Sequence, residues 1–264
     1  MRKYPFAPHP FIITPPLEEK KEYHRGEKLD FELTLIGKAI DFLPYFIYTF
    51  DELGRTGIGK GKGKYCLEGV WAKKSEKTKG NGERGKGQGE RPTEEETTMI
   101  YSGKEKTLHN DYKIMSLDDL GPSGPSSFTS RPLPLTLDLR FVTPTRLKFD
   151  GKLSPGLEFH ILLRNLLRRI SLLSYFHCDE ELDLDFKGLI ETSRDVKVKR
   201  ETLSWFDWER YSSRQDTTMR LGGFIGSITF EGNLEPFMPF LLLGEYVHIG
   251  KGTSFGLGKY KIEF

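Results

Sequence analysis

Cysteine is nearly missing from this chain of 264 residues: Cys66 and Cys178 are the only two. Neither has a near partner or a metal-ligand spacing, which argues against a disulfide scaffold and points to a reducing compartment. No apolar run approaches the roughly 18 residues that a membrane span requires. The opening residues, Met1-Arg-Lys-Tyr-Pro-Phe-Ala-Pro8, lack the apolar stretch of a signal peptide, so a cytoplasmic protein without membrane contact is expected. Net charge is also small, +2 from 40 basic and 38 acidic residues. Any affinity for a polyanion must therefore come from local clustering. The six histidines (His9, His24, His109, His160, His177 and His248) include no pair at helix-face ligand spacing, so neither a metal site nor a cofactor is expected.

What the chain does have is a repeat. Thr34, Gly37, Phe42, Pro44, Gly57, Gly61, Gly63, Lys64 and Tyr65 match Thr229, Gly232, Phe237, Pro239, Gly252, Gly256, Gly258, Lys259 and Tyr260 without a gap, at one offset of 195 positions. Each copy reads as strand, Pro-containing helix, glycine-rich basic loop and strand, which implies two related domains. Glycine removes the Cβ that would keep backbone N–H groups away from a phosphate.

Along the chain, Phe11–Thr14 and Leu29–Gly37 read as strands. Ile40–Leu53 reads as a helix with Pro44 in its first turn and Gly54 as its C-cap, and Tyr65–Trp71 as the closing strand. Lys73–Thr97 carries no large apolar residue and reads as a mobile insertion, followed by a connector containing Gly121-Pro-Ser-Gly-Pro-Ser-Ser127. From Leu133 the pattern becomes strand, long leucine-rich helix (Phe159 to Leu173), two strands, helix (Phe237–His248) and strand (Phe255–Phe264). That order is the ferredoxin-like one. The fold class expected is therefore α+β with tandem ferredoxin-like (RRM-like) domains: a partial first domain over 1–72, insertion and linker over 73–130, and a second domain over 131–264. The first half lacks the strand and long helix that the repeat would place before Phe11. Truncation is the favoured explanation, and natural degeneration is the alternative.

Five features could carry chemistry. The loop Gly250, Lys251, Gly252, Thr253, Ser254, Gly256, Gly258, Lys259 suits RNA-phosphate contact, with a plain tight turn as the competing reading. It follows a helix instead of opening one, so it is not a nucleotide-binding P-loop. Arg55, Lys60, Lys62 and Lys64 line the first copy as a cationic ridge or as a solvated loop. The segment Trp205 to Asp216 offers Arg210, Arg214 and Gln215 beside Trp208 and Tyr211, a composition suited to single-stranded or hairpin RNA, while Trp205 and Phe206 are read as finishing a core strand. His160, Arg164 and Arg168 share one helix face as a basic stripe or a solvated surface. His248 could cap its helix, donate to phosphate or act as a general acid.

The stretch Leu243-Gly-Glu-Tyr-Val-His-Ile-Gly-Lys-Gly-Thr-Ser-Phe-Gly-Leu-Gly-Lys-Tyr260, with Arg210-Tyr-Ser-Ser-Arg-Gln215, Leu221-Gly-Gly223 and Gly54-Arg-Thr-Gly-Ile-Gly-Lys-Gly-Lys-Gly63, resembles the CRISPR-associated repeat-RNA endoribonucleases of the Cas6 type, within the RAMP superfamily. The resemblance implies binding of CRISPR repeat RNA, as precursor and as mature guide, and one metal-independent cut per repeat by attack of a 2′-hydroxyl. A homodimer, or a place in a multisubunit CRISPR effector complex, is a further partner expectation. The alternative within the superfamily is a non-catalytic RNA-binding subunit. A histidine of the first domain's first helix often serves as acid or base in such proteins, and this chain lacks that helix. His248 and Tyr45 are the substitute candidates, with Lys251 as the cation facing the phosphorane.

Overall fold

A computed structural model describes residues 7–17, 20, 22–59, 61–73, 97–116, 119, 136–149, 152–153, 157–207, 209–212, 217–220 and 222–263. They fall into two compact units: residues 1–40 with 117–264, and residues 41–116. In chain order, β1 (Phe11–Thr14) and β2 (Glu32–Leu35) belong to the first unit. The second unit holds α1 (Leu43–Thr56), β3 (Gly69–Lys73), β4 (Thr97–Ser102) and β5 (Thr107–Leu108). The first unit resumes with β6 (Thr136–Thr145), β7 (Lys148–Phe149), β8 (Lys152–Leu153), α2 (Phe159–His177), α3 (Phe186–Thr192), β9 (Lys197–Glu201) and β10 (Ser204–Phe206). It ends with β11 (Glu209–Ser212), β12 (Thr217–Arg220), β13 (Gly223–Glu231), α4 (Met238–Val247) and β14 (Tyr260–Glu263).

The first unit is built on an antiparallel sheet with β6 at its centre, flanked by β14 and β13; β13 carries β9 and β10 on its other edge. Leu139 lies opposite Ile228 on one side and Ile262 on the other. The strand alternation holds in the described residues: Leu137, Leu139 and Phe141 of β6, with Ile228 and Phe230 of β13, are buried on one face. Leu162, Leu163, Leu166, Leu167 and Ile170 of α2 are buried with them, because their spacing returns them to one side of the helix. Phe159 opens α2 and meets Phe230 and Phe237 at ring separations of 5.0 and 5.2 Å. Gly244 lets α4 come close to β14, since a Cβ there would lie 2.0 Å from the Tyr260 hydroxyl. That hydroxyl donates to the Leu241 carbonyl at 2.6 Å.

The second unit is smaller. Tyr65 ties the segment after α1 back to the helix: its N–H donates to the Gly54 carbonyl at 3.1 Å and its hydroxyl to that of Phe50 at 2.5 Å. β3, β4 and β5 form an antiparallel meander, with Trp71 opposite Met99.

Several boundaries differ from expectation for physical reasons. Gly54 does not cap α1. It sits inside the helix where a Cβ would strike the Tyr65 carbonyl at 2.4 Å, and Gly57, at φ +88°, ends the helix instead. The strand expected from Tyr65 begins at Gly69, since Tyr65 is spent on the tie to α1. Its partner β4 falls in what was read as a connector. The strand expected from Phe255 begins at Tyr260, because residues 253–255 form a 3-10 turn. Residues 74–96 and 121–127, read as insertion and linker, lie outside the described residues. Among the described residues no helix is long and apolar enough to cross a membrane.

Candidate nucleic-acid interface

The second glycine loop leaves α4 and returns as β14. Its neck is closed by the Ile249 N–H donating to the Gly258 carbonyl at 2.9 Å. The end of β6 stitches the rest. The Gly258 N–H donates to the Pro144 carbonyl at 3.1 Å, and the Lys251 N–H to that of Arg146 at 3.1 Å. Thr143 bridges the loop, its hydroxyl donating to the Gly256 carbonyl at 2.8 Å and accepting from the Lys259 N–H at 2.8 Å. Gly256 packs against β1, with sites 2.8 Å from Pro15 Cδ and 2.9 Å from the Ile13 carbonyl where a Cβ would stand.

This geometry corrects part of the sequence reading. The N–H groups of Lys251, Gly256, Gly258 and Lys259 are committed inside the fold and are not turned toward a ligand. Thr253 is buried, and the Lys259 ammonium pairs with Glu32. For Gly256 and Gly258 the tight-turn reading prevails: glycine is there because backbone passes within contact distance. Lys251 is exposed, while Gly250, Gly252 and Ser254 are half-buried.

His248 is also corrected as a general acid. Its side chain is 2 % exposed. Burial is the main cause that pushes its pKa down to about 3, with the Lys259 charge adding to it. A ring that stays neutral at pH 7 has no proton to give as an imidazolium. Nδ1 faces the Leu257 carbonyl at 3.2 Å, and since a carbonyl only accepts, that nitrogen carries the neutral ring's proton. The backbone of His248 sits at φ +56°, ψ 173°, a region that glycine ordinarily occupies, so the ring clamps the loop's neck at a local cost of about 1–3 kcal/mol. Arg169 fixes the preceding turn: its Nε donates to the Val247 carbonyl at 2.5 Å, a cation at a helix C-terminus.

A pH effect follows. With the folded pKa near 3 and an unfolded value near 6.5, the unfolded chain binds the extra proton between those limits. Stability from this group is complete above pH 6.5 and declines as pH falls toward 3. Going from pH 6.5 to 5 should cost roughly 2 kcal/mol. Urea unfolding of the wild type and of His248→Asn, whose side chain does not titrate, should show this acid loss only in the wild type; equal losses would contradict it.

Beyond the loop, the structure gathers cations that the sequence scatters. Lys251 stands among Lys148, Arg146 and Arg168. The Lys148 charge is the chief cause holding its ammonium below the usual lysine value, followed by partial burial and then Arg146. Arg168 also lines a groove of about 500 Å³ with Arg164, Leu167, Ser171, Phe186, Lys187, Ile190, Glu191 and Arg194. Of the helix stripe, Arg164 and Arg168 are exposed as expected, but His160 is buried and its pKa is lowered, chiefly by that burial. Arg146, Lys148 and Arg194 were not singled out from the sequence. The Arg146-Leu-Lys148 run directly after a strong strand was the available signal.

The other expected residues are dispersed. In the second unit, Lys62 and Lys64 are exposed on the first glycine loop, closed by the Ile58–Gly63 bridge. Arg55 is exposed and pairs with Glu52 at 3.2 Å, and Tyr45 is exposed on α1. Arg210 lies in β11, opposite Met219 of β12. Lys60, Trp208, Arg214 and Gln215 lie outside the described residues. Trp205 and Phe206, read as core, are exposed at 55 % and 45 %, because β10 is a short edge strand.

Comparison with known proteins adds the following. The family described as CRISPR-associated endoribonuclease Cas6 matches residues 139–260. A family described as an N-terminal domain matches residues 1–109, so the expected truncation of the first half is not upheld: these residues match an N-terminal domain as they stand. No curated protein matches the chain. Among solved structures, a Cas6 product complex, of a protein also solved as Thermus thermophilus Cas6, is 15 % identical over 99 % of this chain and 84 % of that one, with a TM-score of 0.55. This likeness supports a shared α+β fold across nearly the whole chain. A second Cas6 product complex is 23 % identical over 51 % of this chain, with a TM-score of 0.35. The match spans about half of that protein, 53 % of its length. A partial Cas6-RT-Cas1–Cas2 complex is 17 % identical over 63 % of this chain and 29 % of that one, with a TM-score of 0.43.

Proposed function

We propose that this chain, whose residues 139–260 match the Cas6 family of CRISPR-associated endoribonucleases, binds CRISPR repeat RNA and cuts the precursor transcript without a metal ion. The β6–α2–β9–β10–β13–α4–β14 order is read as a ferredoxin-like domain that presents the binding surface. The observation that carries the proposal is the gathering of Lys148, Arg146 and Arg168 around Lys251 within the family region. Like charges held this closely raise one another's free energy until a polyanion relieves them. The RNA backbone is such a polyanion.

In this reading the 2′-hydroxyl beside the scissile phosphate attacks phosphorus, the P–O5′ bond breaks, and a 2′,3′-cyclic phosphate and a 5′-hydroxyl remain. Lys251 and Lys148 stabilise the charge that builds on the phosphorane. Lys251, with its lowered pKa, is also the better proton donor to the leaving 5′-oxygen, since a catalytic acid works best with its pKa nearer the working pH. The proton of the 2′-hydroxyl leaves to a general base. His248 acts by positioning, through the loop that carries Lys251.

A second reading, a subunit that holds RNA without cutting it within a multisubunit effector assembly, is favoured by one observation: the histidine next to the glycine loop is buried. Incubation with the CRISPR repeat encoded beside the gene, in excess chelator, separates the two. The endoribonuclease yields a cyclic phosphate, and a 2′-deoxy nucleotide before the cut reduces product by on the order of 1,000-fold while binding persists. Tight binding with no product from the unmodified repeat would select the non-cutting reading.

A further inference from the structure

The groove beside α2 adjoins the cations around Lys251 through Arg168, and its lining combines apolar and cationic side chains. Its floor is apolar, from Leu167, Ile190 and the ring of Phe186, which is 36 % exposed. Its rim carries Arg164, Arg168, Lys187 and Arg194 against one acid, Glu191. Lys187 and Glu191 stand 4.0 Å apart as a surface pair, and the four cations of the lining outnumber its one acid. Arg164 and Arg168 are one helical turn apart, about 6 Å along the axis.

The walls are fixed. The Asp185 carboxylate caps α3 by accepting from the Gly188 N–H at 2.9 Å, and a Cβ at Gly188 would stand 2.2 Å from the other Asp185 oxygen. The Ser193 hydroxyl donates to the Ile190 carbonyl at 2.6 Å, and the Lys197 ammonium to that of Arg194 at 2.8 Å, holding the turn that bears Arg194. An open aromatic face bordered by arginines suits a base on the ring and a phosphate on the guanidiniums. An acidic peptide would use the rim and leave the ring without a partner. Arg168 belongs both to this groove and to the cations around Lys251, so one strand can run from one to the other without leaving positive charge.

We propose that the groove seats one unpaired nucleotide of the bound RNA, its base on Phe186 and its phosphate on Arg164 and Arg168. This rests on the RNA-binding reading and extends it to a second contact that adjoins the cations around Lys251 through Arg168. It makes the groove a reader of single-stranded RNA, tolerant of base identity because stacking needs only a flat face.

Repeat-RNA affinity of the wild type, Phe186→Ala, Phe186→Tyr, Arg164→Ala and Arg164→Lys tests the proposal, together with repeats made abasic at one unpaired position at a time. Phe186→Ala should weaken binding roughly tenfold, within the range of one lost base stack, and Phe186→Tyr should restore it. Arg164→Ala should lower the salt slope by about 0.7, the value for one single-strand phosphate, and Arg164→Lys should keep it. One abasic position should weaken the wild type about tenfold and Phe186→Ala no further. If the wild type binds and every variant binds equally well, the groove assignment is overturned and the function stands. If the wild type itself does not bind the repeat, both fall. Displacement of repeat RNA by free UMP at sub-millimolar concentration would assign the groove to a free nucleotide and overturn the RNA occupant.

Discussion

Gly258→Ala should lower the stability of the protein by about 4 kcal/mol, while the same change at Gly63 should stay within about 0.5 kcal/mol. The two glycines occupy the same position in the two copies of the repeat, so sequence alone would rank them equally. At Gly258 an added Cβ would stand 1.7 Å from the Ile249 carbonyl oxygen, the backbone is at φ +75°, and the Ile249–Gly258 pair closes the loop's neck. Relief requires the two backbones to separate, which breaks that hydrogen bond and draws Gly258 from the Pro144 carbonyl. At Gly63 the nearest atom to a Cβ is the Ile58 carbonyl oxygen at 3.8 Å, an ordinary contact, and no left-handed conformation is required. Thermal unfolding should show a fall on the order of 10 °C for Gly258→Ala and almost none for Gly63→Ala. Equal falls would mean that the neck is not held as described.

The second large effect concerns binding. Replacing Arg146, Lys148 and Lys251 together with alanine should weaken repeat-RNA binding on the order of 100-fold, at roughly 1 kcal/mol for each lost phosphate contact. Tm should hold steady or rise slightly, because the cations repel one another in the free protein and Lys148 chiefly destabilises the charged form of Lys251. Fluorescence anisotropy and thermal unfolding on the same samples check both halves. A large loss of Tm would make these residues part of the framework; intact affinity would move the RNA elsewhere.

The pattern from Leu133 onward was legible because burial imposes a period. Leu137, Leu139 and Phe141 alternate on a strand, and Leu162, Leu163, Leu166 and Leu167 recur on a helix, so each element announces its buried side. The covering of the second glycine loop was not legible. Gly256 meets Ile13, Thr14 and Pro15 across more than two hundred residues of chain, and no local pattern in Phe11–Thr14 names that partner. For that reason two loops that align in the repeat have different surroundings: Gly61 has open space around it, and its counterpart Gly256 is enclosed.

The candidate site was half legible on the same grounds. Lys251, Arg164 and Arg168 could be marked from the loop and the helix face. Arg146 and Lys148 join them only because the end of β6 accepts the Lys251 N–H and brings its own cations along. His248 looked catalytic from its place beside glycines. Its burial is a property of packing between α4 and the returning loop, which spacing does not encode.

Salt titration of repeat-RNA affinity, for the wild type and for the Arg146→Ala/Lys148→Ala/Lys251→Ala protein, bears most directly on the claim that gathered side-chain cations, and not glycine N–H groups, hold the RNA backbone. The slope of log affinity against log salt should become shallower by about 2 in the triple variant, near 0.7 for each phosphate contact given up. An identical slope in the two proteins would contradict it.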